Sequence, residues 1–109
     1  VEREGRRLVN QNSQEQSEAK RMGATPHKNS GRGKVKKGDA TWRNFTVDYK
    51  HVGKSFTINK DVWAKTSTDA VKNKNDPVII AVIGKDSFKT RLAIIELSVL
   101  EQLLEEREQ

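Results

Sequence analysis

The chain has no cysteine, two prolines and one methionine, and aromatic residues make up 6% of it. Without thiols there is no disulfide, no thiolate ligand for zinc and no cysteine nucleophile. His27 and His51 are the only histidines, and their spacing matches no zinc site. The longest apolar run, Val78 to Ile83, falls far short of the roughly 20 residues that span a bilayer. The first residues lack the apolar stretch of a secretory signal. No Gly-x-Ser-x-Gly elbow occurs, and Ser30-Gly31-Arg32-Gly33-Lys34 lacks the spacing of a phosphate-binding Walker loop. These absences leave a soluble, cytoplasmic chain with no membrane segment and no small-molecule cofactor as the expectation.

What is present is charge. Among 109 residues, 21 Lys and Arg stand against 15 Asp and Glu, a net charge of +6. A basic balance favours polyanionic partners and says nothing about fold. The length allows one compact domain. Residues 1–12 are polar and without period, so they read as a flexible arm, with a single domain over residues 13–109.

Ser13 and Gln16 have capping-box spacing, and Gly23 offers a left-handed stop, which predicts a helix over residues 14–22. Glu15, Ala19 and Met22 share one face of it, with Glu18 about 60° from Glu15. Residues 23–37 form a Gly-rich basic loop without an acidic residue. Val35 to Trp42 and Phe45 to Val52 read as strands; in the second, Phe45, Val47 and Tyr49 alternate with Thr46, Asp48 and Lys50. Ser55 to Asn59 reads as a brief strand. Asn59 then caps a helix with Val62, Trp63, Thr66, Ala70 and Val71 inward. Val78 to Ile83 is β-branched on both faces, as in a covered central strand. After a turn at Lys85 and Asp86, Lys89 to Leu97 forms the next strand. Ser98 and Glu101 form a second capping box, opening a last helix with Leu100, Leu103 and Leu104 inward. The fold class is therefore α/β, a small mixed sheet flanked by helices.

Asp48 and Lys50, two apart on a strand, look out from one face about 6–7 Å apart. Pairing with the preceding strand brings Asp39 beside them. Converging carboxylates make a hard-oxygen pocket suited to Mg²⁺, with Mn²⁺ as a substitute, and a lysine beside them can orient a water against a phosphodiester. The bland alternative is a solvated strand face. Acid-x-Lys also occurs at Glu18-Ala19-Lys20, but there on a helix.

The first-helix glutamate before Ala19-Lys20, the Ser30-Gly31 loop, Gly38-Asp39, and Asp48-Tyr49-Lys50, followed by a helix, two strands and a helix, resemble the PD-(D/E)xK nuclease superfamily. Within it the chain is similar to the small Holliday junction resolvases of archaea and phages. Gly38 stands where many members have proline, and Asp48 where related resolvases have glutamate. The resemblance covers most of the chain and implies a restriction-endonuclease-like core and a homodimeric endonuclease that resolves four-way DNA junctions. It implies that a helix-one acid, Asp39, Asp48 and the Tyr49 backbone carbonyl hold the metal while Lys50 assists the attacking water. Glu15 is favoured as that acid because it shares the Ala19 face, with Glu18 the alternate. DNA would be gripped by Ser30 and by nearby Lys20, Arg21, His27, Lys28, Arg32, Lys34, Lys36 and Lys37. If phage-encoded, the enzyme would work in the host cytoplasm.

Two other readings stay open: a nicking, flap or mismatch nuclease of the same superfamily, and a non-catalytic DNA-binding protein that uses only the basic segments. The last helix, with leucines on one face and Glu101, Glu105, Glu106 and Glu108 opposite, is an ordinary amphipathic face and also a candidate dimer contact.

Overall fold

The computed structural model describes residues 14–27 and 38–108. The expected arm, the Ser13 cap and the loop from Lys28 to Lys37 lie outside these residues. The described chain is an α/β fold with a five-stranded mixed sheet and three helices. Helix α1 covers residues 14–22. Strands β1 (Thr25–Pro26), β2 (Ala40–Trp42) and β3 (Phe45–Val52) follow, then helix α2 (Lys60–Lys72), strand β4 (Asp76–Ile83), a 3₁₀ turn (Asp86–Phe88), strand β5 (Thr90–Ile94) and helix α3 (Leu97–Glu108). The strands lie in sequence order. All neighbours are antiparallel except β3 and β4, which run parallel because α2 carries the chain back between them.

Helix α1 stops where its sequence says. Gly23 takes φ +77°, the Gly23 N–H donates to the Lys20 carbonyl at 3.3 Å and the Ala24 N–H to the Ala19 carbonyl at 2.8 Å. This pair of bonds satisfies the last carbonyls of the helix. Its inner face lies against one side of the sheet, where Ala19 and Ala24 join Val47, Tyr49, Val78, Ile80 and Val82 in the core. The Tyr49 hydroxyl is anchored on the Met22 sulfur at 2.9 Å. Strand β4 is buried from Pro77 to Val82, as a strand covered on two sides should be.

Helix α2 packs on the opposite face through small and polar groups. The Asn59 side chain caps it by accepting from the Val62 N–H at 2.9 Å. Thr66 and Ala70 are its buried residues, whereas Val71, expected inward, is 72% exposed. The reason lies below the helix: its neighbours on β3 include Thr46, held by Asn73 and Asn75 through Oγ1 at 3.2 and 3.1 Å, and Asp48. A polar floor selects a polar helix face. The side of β3 that carries Asp48 is thus roofed by α2 and is not an open solvent face.

Four further expectations are corrected. Ser55 to Asn59 forms no strand; both edges of β4 are already taken by β3 and β5, so the segment finds no ladder there. Strand β5 spans only Thr90–Ile94, because the backbone at Glu96 already begins α3, its carbonyl accepting from Val99 and Leu100. Ser98 therefore sits inside the first turn and caps nothing, its hydroxyl donating instead to Glu96 at 3.4 Å. Leu100, Leu103 and Leu104 do not turn inward: α3 has no buried residue, since α1 and α2 already occupy the two faces of the central strands. Among the described residues no helix is long and apolar enough to cross a membrane.

Candidate active site

The site begins with a strand register. Ala40 pairs with Val47 and Thr41 with Thr46, and just beyond the end of that ladder the Asp39 carboxyl meets Asp48. Gly38 makes the approach possible. It takes φ +85°, and a Cβ there would lie 2.5 Å from Thr46 Cγ2. Only glycine adopts this conformation in that space without strain.

Asp39 is fixed from both backbone and side chain. Its N–H donates to the Val47 carbonyl at 2.9 Å, its carbonyl accepts from the His27 N–H at 2.9 Å, and Oδ2 accepts from the Tyr49 N–H at 2.8 Å. The carboxylate thereby takes the N–H with which β3 would have continued the ladder. The Tyr49 carbonyl lies on the same edge as that N–H, because a strand residue presents both groups to one neighbour. His27 secures the turn: Nδ1 lies 3.1 Å from the Gly38 carbonyl oxygen, and Nε2 bonds the Thr41 hydroxyl.

Glu15, Asp39, Asp48, Tyr49 and Lys50 line one cleft of about 370 Å³, closed on one side by Ser55 and Phe56. It lies along the C-terminal half of β3, where Asp39 approaches from the end of β2. Lys50 Nζ is 3.3 Å from Asp48 Oδ2. The Thr66 hydroxyl, reaching down from α2, is 3.4 Å from the same oxygen.

Burial and neighbouring charge raise two of the carboxylates. Asp39 is pushed up to about 7, first by burial, then by a hydrogen bond to Asp48 and the charges of Asp48 and Glu15, with the Tyr49 N–H opposing. Glu15 is raised by burial and by Asp48, with Lys50 pulling it down. Such a cluster is short of positive charge.

Glu18, the alternate helix-one acid, stands elsewhere. It is buried, and Arg91 on β5 grips it with Nε at 2.6 Å and Nη2 at 3.0 Å; Arg21 and Lys89 stand at 3.7 and 3.9 Å. The Arg91 bonds hold its carboxyl below the usual range against the cost of burial. Sequence reasoning missed this role because Arg91 is 73 residues away.

The chemistry of the donor set, three carboxylates and a carbonyl, fits a hard divalent cation. In geometry, Asp39 and Asp48 meet, but among the described residues no three acidic or histidine side chains already form a closed ligand group. Of the other predicted DNA contacts, Lys20 and Arg21 are exposed on α1, while His27 is committed to the Gly38 turn. Lys28, Ser30, Arg32, Lys34, Lys36 and Lys37 lie outside the described residues. Phe88, one of the aromatic residues that the sequence offers for base stacking or core packing, is 86% exposed and lies outside this cleft. No family model, no curated protein and no solved structure matches the chain.

Proposed function

We propose that the chain is a metal-dependent endonuclease that cuts branched DNA, acting on four-way junctions by paired phosphodiester hydrolysis. The observation that carries this reading is the meeting of Glu15, Asp39, Asp48 and Lys50 in one cleft, from α1, the Gly38 turn and β3. The order of helix, antiparallel strands, crossover helix and parallel strand is compatible with the restriction-endonuclease-like core that the resemblance implies. Of the two departures from that family's pattern, the one at Gly38 has a backbone reason. Proline, frequent where Gly38 stands, has φ near −65° and cannot replace a residue at φ +85°.

Asp39 and Asp48 would hold Mg²⁺ or Mn²⁺, with Glu15 and the Tyr49 carbonyl completing the oxygen shell. When bound, such an ion supplies Lewis-acid polarisation of the phosphate and a more acidic water. The protein's own groups do the positioning. The Tyr49 N–H aims Asp39, the Thr66 hydroxyl steadies Asp48, and Lys50 stands where an ammonium can orient water and offset charge on the phosphorane.

A four-way junction calls for two cuts related by two-fold symmetry, which a C2 homodimer provides. The uncovered leucines of α3 are the surface we assign to that contact. A second reading, a DNA-binding protein without catalysis, draws on the Lys50–Asp48 ion pair, in which each side chain already has a partner, and on the basic balance of the chain.

The deciding experiment compares a labelled four-way junction with a linear duplex of the same sequence, in Mg²⁺ or EDTA, for the wild type and Asp48→Asn. Symmetric, metal-dependent cuts that Asp48→Asn abolishes are expected. Tight junction binding without cleavage in any metal would establish the second reading.

A further inference from the structure

A second groove, about 460 Å³, adjoins the acidic cleft and shares His51 with it. Adjacent residues of α1 divide between the two: Gln14 lines the second groove and Glu15 the first. The second groove differs in chemistry. Lys85, Lys89, His51 and Gln14 supply donors, and Gly53 and Gly84 leave backbone without side chains between them. A Cβ on Gly53 would meet nothing within 4 Å, so the floor there is open. Lys89 is one of three cations around Glu18, and the single carboxylate leaves them in excess.

The rim of this groove is the turn between β4 and β5. Gly84, at φ +95°, starts it, and a Cβ there would lie 2.7 Å from the Phe88 carbonyl oxygen. The Phe88 N–H closes it by donating to the Lys85 carbonyl at 3.0 Å. The turn is thus tight, and it holds the Phe88 ring 86% exposed between Lys85 and Lys89 in sequence. A lone exposed apolar side chain means little by itself. A ring held out on a short turn beside a cationic groove is the combination that proteins use to bind unpaired nucleotides: a charged track for the backbone and an aromatic face for the base.

We infer that the β4–β5 turn is a subsite for an unpaired nucleotide, in which Lys85, Lys89 and His51 take a phosphodiester and Phe88 stacks on the neighbouring base. The inference rests on the proposed nuclease in identifying the strand as the one that reaches the acidic cleft. With the two grooves joined at His51, a strand lying across both presents one phosphate to the carboxylates and another to the lysines. Fully paired DNA keeps its bases stacked and has none to offer Phe88. The turn therefore favours a strand with unpaired bases over a fully paired one.

The test uses the intact chain in EDTA, titrated with a tetrathymidylate carrying a terminal phosphate and followed by amide NMR and fluorescence anisotropy. The largest shifts are expected at Gly53, Gly84, Lys85 and Phe88. Phe88→Ala should weaken binding about tenfold, and Phe88→Trp should restore it. Lys85→Gln should lower the slope of log affinity on log salt by about 0.7. Shifts elsewhere, no binding, an effect of Phe88→Ala within about twofold, or failure of Phe88→Trp to restore binding each overturns the subsite. Junction cleavage without tetrathymidylate binding removes the subsite and leaves the nuclease. Binding at the turn with no cleavage in any metal removes the nuclease and leaves the turn as a nucleotide-binding site.

Discussion

Glu18 and Arg91, 73 residues apart, form a two-point carboxylate–guanidinium pair that ties the first helix to the last strand. Charge-assisted forks of this kind are strong, and removing one partner strands the other. Glu18→Ala should therefore destabilise the fold, by less than the loss of a fully buried pair would, because Arg91 retains access to water. Since the pair holds the Glu18 carboxyl below its ordinary value, its contribution is present above that value and is lost as pH falls into the acid range. Urea melts of Glu18→Ala and wild type, at neutral pH and in acid, should converge at the acid end.

Asp39 works in the opposite sense. Its carboxyl is raised from 3.8 to about 7, so the folded chain holds a proton that the unfolded chain has lost between those values. Its stabilising share is full below the unfolded value and disappears as pH rises through about 7. Asp39→Asn keeps an acceptor for the Tyr49 N–H without the charge. In EDTA it should stabilise the protein above that pH, by roughly 2 kcal/mol after allowance for solvent screening of a half-buried group. Calorimetry across the pH range checks this, and equal melting temperatures at pH 8 would contradict the electrostatic account of the cleft.

Asp48→Asn and Lys50→Ala should each lower junction cleavage by about a hundredfold or more while leaving junction affinity in EDTA within about threefold. A parallel loss of affinity in EDTA would mean that these residues bind DNA and do not act on it.

Gly38→Ala places a methyl against Thr46 in a backbone conformation that alanine resists. A loss of about 1–3 kcal/mol is expected, together with lower cleavage, because the turn that presents Asp39 must shift. Gly23→Ala serves as the comparison: it shares the positive φ, but an added Cβ there meets nothing within 4 Å. It should cost less stability and leave cleavage unchanged.

Leu97, Leu100, Leu103 and Leu104 lie uncovered along α3. If this face joins two copies, Leu100→Glu with Leu104→Glu should convert a dimer to a monomer in sedimentation, with little change in the helical signal. Junction cuts would then lose their pairing. A wild-type chain that sediments as a monomer with the junction bound would remove the dimer.

Several features were legible because they are written locally. The Gly23 stop, the Asn59 cap, the alternation along β3 and the apolar run of β4 each depend on neighbours within a few residues. Helical spacing also set Glu15 with the Ala19 face, and Glu15 is the helix-one acid that lines the cleft. The expectations that failed depend on what lies across a gap in sequence. Val71 turns out because the floor under α2 is polar at Thr46 and Asp48, and the α3 leucines stay exposed because other helices already occupy the central strands.

The sequence by itself determined the donors: an acid-x-Lys pair on a strand, an aspartate after a glycine, a basic balance and no thiols. Tertiary structure decided which of them meet. The Gly38 turn and the Tyr49 N–H brought Asp39 to Asp48, while burial and the neighbouring carboxylates raised the Asp39 carboxyl. The same packing withdrew Glu18 into a pair with Arg91 and left Phe88 outside. Periodicity reports the face on which a side chain leaves its own element, but the field and the cover it meets come from residues distant in the chain.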